Sequence, residues 1–227
     1  MSTNNSAMPS RFRVWCLGCL LAIAAVFVFT TVWSATPGFW QLGAIDFLIF
    51  GLPLALVTSL LGSLAFLITG WFVARSTLSF GKKRMLLIAP WILVACFWIV
   101  FAVIVGNPRS RFGAIVVRPV PSSVEDIKVA GLNSFLARRW LFSFRIESAQ
   151  IDDMLARHSL ERTNYFDFRE TIDHDVFFKQ VAWAKDAKFG TNALFYSRSE
   201  MGVPSQWVRL VVDTNSSHAW FMIGYQN

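Results

Sequence analysis

Three long stretches without a charged residue limit what this chain can become more than any motif in it. Val14 to Trp33, Phe47 to Val73 and Met85 to Gly106 are all free of Asp, Glu, Lys and Arg. A helix of roughly 20 apolar residues, rising about 1.5 Å each, spans the hydrocarbon of a bilayer. Each run has that length, and each is apolar all round rather than along one stripe. A soluble core able to bury three such helices needs far more chain than 227 residues. Composition agrees: 15% of residues are charged and the mean hydropathy is +0.48, whereas soluble domains carry about 25% charged residues. The runs predict three transmembrane helices at about 14–33, 51–73 and 86–106. Gly51 and Pro53 are expected to break the start of the second, leaving Phe47 to Phe50 at the interface. The first run exceeds the roughly 7–15 residues of a signal-peptide core, which predicts an uncleaved helix.

Loop charges set the expected orientation, because Lys and Arg stay in the cytoplasm. Residues 1–13 hold Arg11 and Arg13, and residues 74–84 hold Arg75, Lys82, Lys83 and Arg84. The loop 34–46 has Asp46 as its only charge. The tail and second loop are therefore expected inside, and the first loop and C-terminal part outside. Arg109 and Arg111 oppose this with two charges against four. Of the net charge of +7, residues 1–106 contribute +5 (six basic, one acidic) and residues 107–227 contribute +2 (fifteen basic, thirteen acidic). A nucleic-acid partner would need a basic soluble part, so the bilayer is the expected partner.

None of the three runs contains Asn, Gln, His or a charged residue, which argues against an ion path through one subunit. The membrane part reads as an anchor. Ala55, Ser59 and Ser63 form a small-residue stripe suited to close helix packing, within the chain or in a homo-oligomer. Cys16 and Cys19 have CxxC spacing but lie inside an apolar run, where packing is the better reading.

After a connector at 107–121, residues 122–227 carry the patterns of a small α+β domain with an antiparallel sheet. Ser122 and Glu125 have capping-box spacing, predicting a short helix from Ser123 to Gly131. Trp140, Phe142, Phe144 and Ile146 alternate as a strand, and Ile151, Met154, Leu155 and His158 recur as a helix. A second helix is expected over 175–188. The segments ALFYSRS, WVRLVVD and HAWFMIGY then predict a three-stranded meander closed by the Asn215-Ser216-Ser217 turn. The segments VPSSVEDIK, LFSFRIESAQIDDMLARHSL and LVVDTNSSHAWFMIGY, with Trp183, resemble uncharacterised bacterial extracytoplasmic domains tethered to membranes. The resemblance covers residues 116–226 and implies an outward-facing domain in the cell envelope. It supplies no catalytic residues to carry over.

Catalytic patterns are absent: there is no GxSxG elbow, no HExxH, and Gly81-Lys82-Lys83 lacks the rest of a phosphate loop. Asp167, Glu170, Asp173, His174 and Asp175 form the densest polar cluster. They could hold a divalent metal in a membrane-tethered hydrolase, although their spacing matches no metal loop. No cofactor is expected. His158 is expected to pack and hydrogen-bond, and His218 to be solvated. Trp207 has opposite parity to Val208, Leu210 and Val212, so one sheet face is expected to remain open. Trp207, Trp183 and Trp220 are then candidates for a surface that contacts an envelope protein or other ligand.

Overall fold

The computed structural model describes residues 11–36, 40–133, 138–147, 150–163, 175, 178–185, 187, 189, 192–200 and 205–226. These divide into two compact units, one of Met1–Thr30 and Phe47–Ala102, the other of Thr31–Asp46 and Val103–Asn227.

Among the described residues, three helices are long and apolar enough to cross a membrane: Arg11–Ser34, Gly43–Arg75 and Phe80–Gly106. The first is α1 and the third α4. The middle one is compound. Helix α2 (Trp40–Asp46) runs through a π-helical turn (Phe47–Gly51) into α3 (Leu52–Arg75). Pro53 has no N–H to donate backwards, and the chain widens there instead of stopping. The expected break at Gly51 and Pro53 is thus a bulge in a continuing helix.

In the first unit the helices pack around Trp91, which is almost fully buried with Ala22, Phe66, Val73 and Leu87. Gly18 and Gly62 make its slot, since a Cβ at either would collide with the indole ring. The outward surfaces stay apolar, with Leu60 and Leu93 about 70% and 69% exposed. A protein surface of this kind suits hydrocarbon.

The second unit is built on six described strands: β1 (Glu125–Asn133), β2 (Arg138–Arg145), β3 (Glu161–Thr163), β4 (Ala193–Glu200), β5 (Ser205–Asp213) and β6 (His218–Gln226). They form one antiparallel sheet in the order β1-β2-β6-β5-β4-β3. The expected meander is its β4-β5-β6 portion, paired from Ala193 with Asp213 and from Asp213 with His218. Helices α5 (Pro108–Ile115) and α6 (Asp152–His158) accompany one face. There Phe142, Phe144, Leu210 and Phe221 pack on Phe112, Val116 and Met154. On the other face Leu141, Val211, Trp220 and Met222 pack on Phe178, Val181 and Ala184. Those last residues belong to a 3-10 turn (Phe178–Gln180) and the one-turn helix α7 (Ala182–Lys185).

Four local expectations are corrected. Residues 125–133 are a strand, not a helix, because pairing with β2 outweighs the local cap signal. A bulge between Glu125 and Lys128, with Asp126 at φ 51°, starts that strand. The connector at 107–121 contains α5, whose Phe112 is wholly buried. Its start signal was in the sequence: Asn107 accepts a bond from the Arg109 N–H at 2.8 Å and Pro108 follows it. The described part of 175–188 holds short turns in place of one long helix. Both sheet faces carry a packed hydrophobic cluster, so neither is left open among the described residues.

The loop after α1 also enters the second unit. The Thr36 N–H donates to the Gly131 carbonyl at 3.0 Å, and the Gly131 N–H donates to Thr36 Oγ1 at 3.0 Å. Ala35 forms a bridge with Leu132. Residues 35–36 thereby pair with the outer edge of β1, which would otherwise offer bare hydrogen-bonding groups.

Candidate functional site

Arg111 organises the strongest candidate. It stands in α5, is only 6% exposed, and has no carboxylate against it among the described residues. Its Nε donates to the Val105 carbonyl at 3.0 Å, and its Nη2 donates to the carbonyls of Val32 and Ala35. The Val105 and Val32 oxygens lie in the last turns of α4 and α1, and Ala35 directly follows α1; there the last carbonyls lack helical partners and carry the negative end of the helix dipole. The guanidinium also lies 5.1 Å from the Trp140 ring. Burial lowers its pKa to about 10, which keeps it charged at neutral pH.

Beside Arg111 opens a cavity of about 490 Å³, within the range of small-molecule sites. Arg138 and Arg157 join Arg111 on its lining, and no acidic residue lines it among the described residues. Ile104, Ile115 and Ile223 give apolar wall, and Trp33, Trp140 and Tyr225 give aromatic wall. Arg157 donates to the Ala114 carbonyl at 3.2 Å, which steadies it at the rim. His158 lines the same cavity, with Nε2 2.7 Å from the Val116 carbonyl and its ring 4.8 Å from that of Phe221. Desolvation by burial lowers its pKa, outweighing the Val116 bond, and Arg157 and Arg198 lower it further. His158 is thus the packed, bonded histidine that the sequence implied.

A second cavity, of about 480 Å³, is also lined by Arg111, with Thr36, Lys128 and Trp183 among others. Trp183 is therefore half-buried beside a hollow. Trp207 is half-buried too: it meets Phe178 edge-on at 6.4 Å and is flanked by Arg139 and Arg209 at 5.6 and 5.5 Å. Gly224 opposite gives it room, because a Cβ there would strike the indole. Trp220 is 6% exposed and belongs to the core of that face. The three tryptophans do not share one open surface. Parity alone could not reveal this, because Phe178 and its neighbours come from a segment distant in sequence.

Of the acidic cluster, Asp167, Glu170, Asp173 and His174 lie outside the described residues. Asp175 forms an ion pair with Arg139 at 3.2 Å. Among the described residues no three His, Cys, Asp or Glu side chains gather as a metal site would require. His218, expected in solvent, is half-buried, with Nε2 2.7 Å from Ser143 Oγ. Desolvation lowers its pKa, reinforced by Arg145 and Lys128 and opposed by Asp126 and Asp213. Ser143 is only 3% exposed, so this pair is a buried polar contact and not an accessible nucleophile and base.

The chain matches no family model, no curated protein and no solved structure. The site must therefore be read from its own chemistry.

Within the first unit, Ala55 is buried with Val26 and Phe47. The Ser63 hydroxyl accepts from Trp15 Nε1 at 2.8 Å and donates to the Ser59 carbonyl at 2.7 Å. Ala55 and Ser63 of the small-residue stripe thus meet residues of α1 in the same chain. The slot made by Gly18 and Gly62 was missed. Single glycines inside apolar runs are common in membrane helices, and only the position of Trp91 distinguishes these two.

Proposed function

We propose that this chain is an integral membrane protein whose three helices anchor a binding domain on the extracytoplasmic face of a bacterial inner membrane. The observation that carries the reading is the apolar, outward-facing surface of three helices long enough to span. Such a surface is costly in water and neutral in lipid. The common unit formed by Thr31–Asp46 and Val103–Asn227 supports it further. An odd number of spans would put the first loop and the C-terminal domain on one side, and the pairing of Ala35 with Leu132 agrees with that. The loop charges argue that this side is the outside. The cavity beside Arg111 supports binding as the domain's role.

Two measurements test this. Alkaline extraction of membranes should leave the chain in the pellet, and release into the supernatant would refute an integral protein. A single cysteine at Ser216, in a chain with Cys16, Cys19 and Cys96 replaced by Ala, should react with an impermeant maleimide in intact cells. Reaction only after lysis would put the domain in the cytoplasm.

A further inference from the structure

We infer that the cavity beside Arg111 binds an anionic phospholipid, with its phosphate between Arg138 and Arg157 and its acyl chain along Ile104 and Ile115. The inference rests on the membrane reading above. Its basis is a charge imbalance. Three guanidiniums share one lining that has no carboxylate among the described residues. Arg111 is already answered by the carbonyl ends of α1 and α4, each worth about half a negative charge. Arg138 and Arg157 take part in no ion pair among the described residues. They leave about two positive charges at the mouth of a largely apolar hollow.

A small soluble anion would use the arginines and leave the isoleucines bare. A neutral lipid chain would use the isoleucines and leave the charges unanswered. An anionic amphiphile satisfies both. The wall residues point the same way, because Trp33 and Ile104 come from the last turns of α1 and α4. In membrane-spanning helices those turns lie at headgroup depth, where Trp is enriched. Guanidinium also pairs with phosphate through two parallel N–H donors.

The test uses the full chain purified in a neutral detergent, with phosphatidylglycerol, phosphatidylcholine or inorganic phosphate as probe. Binding is read as the shift of the thermal midpoint followed by tryptophan fluorescence. Phosphatidylglycerol should raise the midpoint saturably, and phosphatidylcholine should not. The double variant Arg138→Gln/Arg157→Gln should weaken phosphatidylglycerol binding by about 30-fold, the loss of two cations facing anionic lipid. Arg145→Gln/Arg162→Gln, which removes two exposed arginines outside the cavity lining, should leave it unchanged. Should the first double variant unfold, Arg138→Gln alone still tests the site, with a smaller expected loss. Equal shifts from both lipids, or an unaffected cavity variant, would overturn the inference. A saturable shift from inorganic phosphate that the variant abolishes would reassign the site to a free anion and overturn the lipid. A chain that resists alkaline extraction yet shows no preference for phosphatidylglycerol loses this inference alone. A chain released by alkali loses both.

Discussion

Arg111 joins three chain segments through one side chain, and its removal leaves the carbonyls of Val32, Ala35 and Val105 without their donor. Arg111→Met keeps the apolar stem and deletes the charge. It should cost at least about 3 kcal/mol, since each of the three acceptors left unsatisfied costs about 1–3 kcal/mol, measured as the loss of stability of the full chain in detergent. Arg111→Lys should recover only part of this, because a single ammonium cannot reproduce the planar fork. His158 makes a pH prediction with a definite sign. Its folded pKa lies below the ordinary 6.5 because burial disfavours the imidazolium. An unfolded chain therefore takes up the proton first as pH falls. The stability that neutral His158 contributes is complete above about pH 6.5 and is lost as pH drops from there through the folded value. His158→Gln should flatten the dependence of the thermal midpoint between about pH 7 and 5. An equally steep dependence in that variant would remove His158 as its source.

At the scale of elements, local signals and tertiary pairing competed, and the outcome differed from place to place. The alternation of Trp140, Phe142 and Phe144 and the helical spacing of Met154 and His158 were readable because each element buries a continuous face. The segment 125–133 is not legible as a strand on its own, because Ser122 and Glu125 mimic a cap while the strand partner, Arg138 to Arg145, comes later in the chain. Helix α5 is hidden for the opposite reason: its cap is present at Asn107, but a Pro- and Ser-containing stretch resembles a linker. Its role is measurable. Phe112→Ala should destabilise the second unit by about 3–5 kcal/mol, in a denaturant titration of the full chain, whereas truncating a residue of a true linker would cost almost nothing. In the first unit, Gly62→Leu should destabilise the helix packing by about 1–3 kcal/mol through the clash with Trp91. Detergent-resistance or thermal melts would report it. Leu60→Ala on the outward surface should have little effect, because that side chain is about 70% exposed and has few protein contacts to lose.

At the scale of the whole molecule, the domain does not begin where the last membrane-length helix ends. Residues 31–46 belong to it, and Ala35 and Thr36 cover the β1 edge. A fragment of residues 107–227 lacks both that cover and the Val32, Ala35 and Val105 carbonyls that hold Arg111. It should melt well below the same domain in the full chain and self-associate through the bare edge. Equal melting temperatures, read by circular dichroism, would show that the loop contributes nothing. The sequence alone determined the three apolar helices and the strand-rich half, because hydrophobic length and alternation are local quantities that burial must satisfy wherever the chain goes. It likewise identified His158 as a packed residue, from its place on the apolar stripe of its own helix. Tertiary structure alone decided that both sheet faces are covered, that Trp220 is core, and that Arg111 bridges α1, α4 and α5. It also brought Arg138 of β2 and Arg157 of α6 to one cavity. These depend on which distant segments meet, and a side chain's burial or charge balance is set by its partners and not by its neighbours in sequence.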